Sequence, residues 1–376
     1  MEKFKLGAIT FMVENETLMK VCGRGSVVIP EQTTSGMRIK FINKGFCNTG
    51  FFDEVIMHDS ILEVAEGAFQ GSFVKKVVWP RYCKTIPKNC FSGSGLEELL
   101  NIENVEVVGE KAFENAKIKK MIWPNGCKKI PKNCFNLSKL EEIEGIDEVE
   151  KIGQGAFASC GSLLSITWPS KCSEIPTVCF FNSAIKAIKN ISHVKKIGNE
   201  AFYRSEIEDI EWPTPCKKIS EECFGYTPIK RITGIEKVTS VGCEAFRGCA
   251  LLSSIVWPEA CKKIPEKCFL ASGLKSISNT QAVEEIEDFA FALSNLESMH
   301  WPSACTVIPL ECFEGTPIVE VTNLDNVEVI CGYAFAGCEK LKLDLSKTMT
   351  PQISPRAFDS ANEDEIILPY YCTNDK

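Results

Sequence analysis

A short alternation of apolar and polar positions recurs along the chain, each time ending in Trp-Pro. Two residues before the tryptophan stand Val77, Met121, Ile166, Ile210, Ile255 and Met299, and five before it stand Val74, Ile118, Leu163, Ile207, Leu252 and Leu296. One and three residues before it come Val78 and Lys76, Ile122 and Lys120, Thr167 and Ser165, Glu211 and Asp209, Val256 and Ser254, His300 and Ser298. Side chains change face at every residue of a strand, so the spacing predicts a short strand with the first set and the tryptophan inward and the second set toward solvent. The proline that follows keeps the tryptophan extended and withholds an amide donor, so the strand is predicted to stop there.

The same phrase returns at a fixed distance. Every tryptophan lies in a Trp-Pro pair, at 79, 123, 168, 212, 257 and 301, always 44 or 45 residues apart. Half that period is also present. A phenylalanine preceded by a small residue occurs at 46, 69, 91, 113, 135, 157, 180, 202, 224, 246, 269, 291, 313, 335 and 358, spaced by 22 or 23 residues. The repeating unit is therefore one coil of 22–23 residues in two alternating forms. One reads V-x-x-I-G-x-x-A-F, as in VEKIGQGAF from Val149, and the other C-x-x-I-P-x-x-C-F, as in CKKIPKNCF from Cys127. About fifteen such coils predict a solenoid with a parallel sheet on one face, each coil supplying a strand, a turn and a short turn or helical segment whose phenylalanine joins an internal ladder. In the form without tryptophan, Asn101, Gly145, Asn190, Gly234, Asn279 and Asn323 take its place. The expectation is that large alternates with small so that each indole has room at the ~4.8 Å strand spacing.

The ends depart from the repeat. Residues 1–40 hold AITFMVEN, LMKVCG and SVVIPEQ, which read as the short strands of an N-terminal cap, and the solenoid is expected over 41–358. A C-terminal cap and tail are expected over 359–376, where Leu368-Pro369 and Cys372 fall in the Trp-Pro and Cys places of a degraded coil.

A net charge of −8 gives no basic footprint for nucleic acid or an anionic membrane. The first 25 residues hold no apolar run of signal-peptide length, and nowhere do 18 apolar residues stand together. The expectation is a cytoplasmic protein without membrane insertion, with unconventional export to the cell surface as the alternative. Lysines gather in the Cys form of the coil (CKKIPKNC) and acids in the approach to the other (LEEIEGIDEVE), which predicts rows of opposite charge on adjacent coils.

Twenty cysteines raise the question of chemistry. Aligned on their phenylalanines, Cys127 takes the place of Val149 and Cys134 that of Ala156, which are core positions suited to a small, soft thiol. A disulfide within each C-x6-C remains an alternative in an oxidizing compartment. Zinc is disfavored by the spacing, since structural sites use shorter gaps and four ligands and no C-x2-C occurs. The histidines are His58, His193 and His300, and nothing in the sequence sets a nucleophile beside them. The stretch GQGAFA from Gly153 satisfies a loose dinucleotide pattern but belongs to the ordinary turn of one coil. No catalytic, metal or cofactor residue is assigned.

The pattern L-x-x-I-x-W/I-P-x-x-V/C-x-x-I-G/P-x-x-A/C-F-x-x-C, as in GAFASCGSLLSITWPSKCSEIPTVCF from Gly155, resembles the BspA-like (Treponema pallidum type) leucine-rich repeat family from about residue 27 onward. The resemblance implies a leucine-rich repeat solenoid without active-site residues. It also implies kinship with surface proteins of bacteria and mucosal protists that bind host matrix proteins or cells. The expected function is a noncatalytic scaffold that binds a protein partner on the strand face, at Lys76, Val78, Lys120, Ile122, Thr167, Asp209, Glu211, Val256 and His300. The alternatives are a cell-surface adhesin and, on the strength of the C-x6-C pairs, a thiol- or metal-dependent protein.

Overall fold

Each alternation before a Trp-Pro pair is a strand of three residues with its middle side chain buried, as in Lys120–Ile122, Ser165–Thr167 and Ser254–Val256. The computed structural model describes residues 1–348 and 351–368, so Pro369 and Cys372 lie outside the described residues. The chain divides into two compact units, Met1–Ile191 and Ser192–Lys376.

The first unit opens with an antiparallel meander of β1 (Glu2–Leu6), β2 (Ile9–Glu14) and β3 (Thr17–Cys22). The Glu2 carboxylate ties this meander to a neighboring turn, accepting from the Ser35 and Thr34 hydroxyls at 2.6 and 2.8 Å. These hydroxyls, Ser35 foremost, draw its pKa down to about 2. Parallel winding starts at once: β4 (Arg24–Val28) pairs with β6 (Phe51–Ile56), then β8 (Lys76–Val78), then β10 (Glu98–Leu100). A second ladder of two-residue strands runs beside it, from β3 through β5 (Phe41–Ile42) to β7 (Glu63–Val64), and from β9 (Thr85–Ile86) to β11 (Val107–Val108). Its inward residue is an isoleucine or valine, most often that of the I-P or I-G pair and buried as at Ile86, Ile130 and Ile152, so a coil carries two strands where the alternation before tryptophan marks one.

The second unit repeats this arrangement. Asp209–Glu211 pairs in parallel with Arg231–Thr233, Ser254–Val256 with Ser276–Ser278, and Ser298–His300 with Glu320–Thr322. The short ladder ends in a three-stranded group of Val307–Ile308, Val329–Ile330 and Gln352–Ile353. The repeat phenylalanines from Phe46 to Phe358 sit on turns, and the one helical segment among the described residues is the 3-10 turn Glu363–Glu365.

Inside each unit the phenylalanine rings stack face to face. From Phe69 to Phe180 consecutive centroids lie 4.9 to 5.8 Å apart, and from Phe202 to Phe358 they lie 5.2 to 5.7 Å apart. Burying each ring contributes about 2 kcal/mol. Every tryptophan is buried and leans on the phenylalanine of its own coil at 5.8 to 6.0 Å. Its indole Nε1 donates to the carbonyl of the cysteine four residues on, at 2.8 to 3.0 Å in all six coils.

The small residues that alternate with tryptophan have a backbone role as well. Asn101, Gly145, Asn190, Gly234, Asn279 and Asn323 all have φ between 62° and 77°, the left-handed region that glycine and asparagine tolerate. Each asparagine donates through Nδ2 to the carbonyl of the preceding tryptophan, at 2.7 to 2.9 Å. A Cβ on Gly145 would meet the Trp123 carbonyl oxygen at 2.9 Å and would not reach the indole. The small residue thus serves the backbone turn at the strand end.

The Pro and Gly of the two forms are also matched. In the first unit Gly109 lies against Pro87 and Lys88, and Gly153 against Pro131 and Lys132; in the second Gly242 lies against Ser220 and Glu221. In each case a Cβ would come within 2.3 to 2.5 Å of a backbone nitrogen of the preceding coil. These glycines do not have positive φ, so close approach alone explains them.

Candidate interaction face

The three-residue strands turn their first and third side chains outward, and all nine residues assigned from the sequence stand at those positions. Lys120, Ile122 and Thr167 of the first unit are exposed, as are Asp209, Glu211, Val256 and His300 of the second, whereas Lys76 and Val78 are half-buried. Val78 is covered because it has apolar neighbors on both sides. The register sets Val28 opposite Ile56, Ile56 opposite Val78, and Val78 opposite Leu100. Ile122 of β12 (Lys120–Ile122) joins Leu100 across a cleft of about 400 Å³ that both line. Four outward apolar side chains therefore form one row in register, and Ile122, itself opposite Glu144, extends it across the cleft. Val28, Ile56 and Leu100 were not assigned from the sequence because they precede no tryptophan. For Ile56 and Leu100 the signal was the 22-residue period itself, which carries Ile56 onto Val78, Val78 onto Leu100 and Leu100 onto Ile122; Val28 lies 28 residues before Ile56 and carried no such signal.

The first outward position carries charge. Lys76 sits 3.5 Å from both Glu54 and Glu98, and Lys120 lies 2.8 Å from Glu142. The hydrogen bond to Glu142 is the main reason the Lys120 pKa is raised, and it lowers that of Glu142 in return. Arg231 meets Asp209 at 3.2 Å in the second unit. The lysines of the Cys form meet acids of the following coil as expected, Lys84 with Glu106 at 2.6 Å, Lys128 with Glu148 at 3.2 Å and Lys262 with Glu284 at 3.6 Å, each exposed pair contributing only a few tenths of a kcal/mol. In the second unit the third position reads Glu211, Thr233, Val256, Ser278, His300 and Thr322, so Val256 stands among polar neighbors. His300 Nδ1 and the Thr322 hydroxyl share a hydrogen bond of 3.0 Å.

The cysteines lie elsewhere. Those of the C-x6-C pairs are buried, and every described cysteine is a free thiol. Burial pushes the pKa of Cys127 up to about 12 and that of Cys134 well above the ordinary thiol value. The Cys127 thiol donates to the Val105 carbonyl of the preceding coil at 3.3 Å. A third series, Cys160, Cys249 and Cys338, recurs at every fourth coil, and each donates to a phenylalanine carbonyl at 3.0 Å. Among the described residues no group of three or more His, Cys, Asp and Glu side chains is placed to hold a metal ion.

The thiolate is the nucleophile, so a raised pKa and a closed wall both slow alkylation. With iodoacetamide at pH 8, fast labeling of the native protein is expected at the half-buried Cys22 and slower labeling at Cys243 and Cys331, whose thiols burial pushes up, with Cys127 and Cys134 protected until urea unfolds the chain. Peptide mapping by mass spectrometry checks this. Native labeling of Cys134 as fast as that of Cys22 would place the pair outside the core.

A parallel ladder of short strands, an apolar column on each turn and a repeating asparagine at the strand end define a leucine-rich repeat solenoid. The chain belongs to the family described as BspA type leucine rich repeat region, which it matches over residues 20–141, 62–186, 128–251, 217–342 and 306–374. In three dimensions it is similar to a leucine-rich repeat protein from Bacteroides ovatus, with a TM-score of 0.78, 22% identity and coverage of 93% of this chain and 99% of that one. It is also similar to one from Eubacterium ventriosum, with a TM-score of 0.42, 15% identity and coverage of 95% and 94%. A leucine rich cell surface protein from Faecalibacterium prausnitzii gives a TM-score of 0.41, 18% identity and coverage of 98% and 95%. No curated protein matches the chain. Leucine-rich repeat solenoids are generally non-enzymatic and mediate protein binding. Among the described residues no helix is long and apolar enough to cross a membrane.

Proposed function

We propose that the protein is a noncatalytic scaffold whose strand face binds a partner protein. The observation that carries this reading is the row of apolar side chains Val28, Ile56, Val78 and Leu100 standing out from one four-stranded parallel sheet, with Ile122 of the next strand facing Leu100 across a cleft. Contiguous exposed apolar side chains mark interaction sites more often than scattered ones do. The charged residues of the strand face, Lys76 and Lys120 beside the row in the first unit and Asp209 and Glu211 on a strand of the second, supply orientation and partner choice more than affinity.

A photo-crosslinking residue at position 122 or 256 is expected to capture the partner in cells, and the same residue at Lys132, on the turn side, is not. Capture from Lys132 alone would move the interface off the strand face. The second reading, an adhesin of the BspA-like type that binds host matrix or cells, uses the same face and follows from the family. Protease shaving of intact cells separates the two. A protein cut on unbroken cells is the adhesin, and one protected until lysis is the intracellular scaffold.

A further inference from the structure

We infer that His58 forms an acid-sensitive joint between β4 and the coils that follow, closed while its ring is neutral and opened when the ring takes up a proton. The joint is independent of the strand-face reading.

His58 holds a place that is apolar in the neighboring coils. The register sets Val28 opposite Ile56 and Ile56 opposite Val78, so that two residues on Pro30, His58 and Pro80 follow one another along the wall. The 22-residue period continues this column through Ile102, Pro124 and Ile146, all buried as Pro80 is. The backbone turn is shared. The His58 carbonyl accepts from the Ile61 amide at 3.2 Å, as the Pro80 carbonyl does from Cys83 at 3.1 Å and the Ile102 carbonyl from Val105 at 3.0 Å. A histidine thus stands where the turn asks only for an apolar side chain, and the proline before it and the one after it have no amide to offer.

The residue as a whole is half-buried, yet its ring Nδ1 and Nε2 are both closed off from water and have no hydrogen-bond partner among the described residues. A neutral ring bears this at some cost. A protonated ring would add a second N–H and a full charge to the same enclosed place. Beyond β4 it has the Glu31 carboxylate and the Pro30 carbonyl nearby, and on its own turn the Asp59 carboxylate. Asp59 already accepts from the Arg81 amide of the next coil at 2.9 Å, and the Arg81 side chain is exposed. Burial is the largest influence and holds the His58 pKa below the ordinary 6.5, while Glu31, the Pro30 carbonyl and Asp59 pull the other way without outweighing it.

An opened joint gives the ring to water, where it binds a proton at the ordinary value. The closed form is therefore fully favored above about pH 6.5 and loses ground as the pH falls from there toward the lowered native value. Glu2, with a pKa of about 2 against an ordinary 4.5, keeps its bonds to the neighboring turn through this range. Opening releases the Ile29 amide from the Ile56 carbonyl and the Met57 amide from the Val78 carbonyl, bonds of 2.9 and 3.2 Å close to the ring. Coils touch only their neighbors, so the loosening stays at this end of the first unit.

Hydrogen exchange of the full chain at pH 7.5 and 5.5, corrected for intrinsic exchange rates, reads the joint at the amides of Ile29, Met57 and Ile61. At one unit below 6.5, a ring that is neutral when closed and free to protonate when open favors opening by up to about tenfold. Protection of these three amides is expected to fall severalfold toward that limit, while protection of the Trp123 amide holds. His58→Ile and His58→Pro, which place the residues of Ile102 and Pro80 in the column, are expected to abolish the fall. The wild-type ring, followed by NMR and assigned by its absence from His58→Ile, is expected to titrate below 6.5. An equal loss of protection in the variants, a loss spread evenly to Trp123, or a ring that titrates at or above 6.5 would each overturn the proposal. Should circular dichroism show a variant unfolded, the exchange and ring titration of the wild-type protein decide.

Discussion

Changing Trp123 to alanine is expected to cost the first unit about 3–5 kcal/mol, the range for deleting a large buried aromatic side chain. The ring is 1% exposed and packs on Phe135 at 6.0 Å, so its loss leaves a cavity against the phenylalanine ladder. A second cost follows from the hydrogen bond. The indole Nε1 donates to the Cys127 carbonyl at 2.9 Å, and without it a carbonyl inside the wall loses its donor. Trp123→Phe separates the two effects: it keeps most of the packing, and its cost of about 1–3 kcal/mol reports the unsatisfied acceptor. In a solenoid each coil touches only its neighbors, so the damage is expected to center on the coils around Phe113, Phe135 and Phe157. Urea unfolding followed by circular dichroism measures the total, and hydrogen exchange locates it. A loss below about 1 kcal/mol for Trp123→Ala would mean that the indole is not a structural part of the wall.

The winding of this chain was legible because each coil solves the same packing problem with nearly the same residues. Phe69 to Phe335 can be read as a column from spacing alone, since only a periodic backbone puts residues 22 apart in contact. The second strand of each coil was harder to see. Its two residues, such as Lys129–Ile130, are too few to show an alternation, and only pairing to Lys151–Ile152 reveals them. The reason for the asparagines was hidden for another cause: a positive φ leaves no mark on apolar periodicity, so Asn101 and Gly145 looked like spacers for tryptophan. The interaction face was half legible. Ile122 and Val256 look alike in sequence, each the residue before a Trp-Pro and each opposite a polar residue in register, Glu144 and Ser278, yet Ile122 also shares a cleft with Leu100 of the preceding coil, where Val256 has Thr233. That difference is a property of neighbors 22 residues away, and it decides which of the two can hold a large apolar surface.

The same dependence on neighbors gives the second large effect. Gly153→Ala is expected to destabilize the first unit by about 2–3 kcal/mol, the upper range for overpacking a closed site. Where backbone geometry permits, replacing glycine by alanine usually stabilizes a protein by about 0.4–1 kcal/mol because the unfolded chain has less freedom to lose. Gly153 is permitted by geometry, as its φ is not positive, so the sign turns on space alone. A Cβ there would lie 2.5 Å from the Lys132 nitrogen, 2.7 Å from the Pro131 carbonyl carbon and 2.9 Å from the Lys132 Cα. These are backbone atoms that cannot swing aside, and moving Gly153 away would stretch its amide hydrogen bond to the Ile130 carbonyl, now 2.8 Å. Gly161→Ala is the control, since a Cβ at that position would meet nothing within 4 Å. Urea midpoints are expected to fall for Gly153→Ala and to hold or rise for Gly161→Ala. Equal midpoints for the two variants would show that the coils sit farther apart than this packing requires. The alternation of I-P with I-G would then need a cause other than one coil's glycine lying against the backbone of the coil before it.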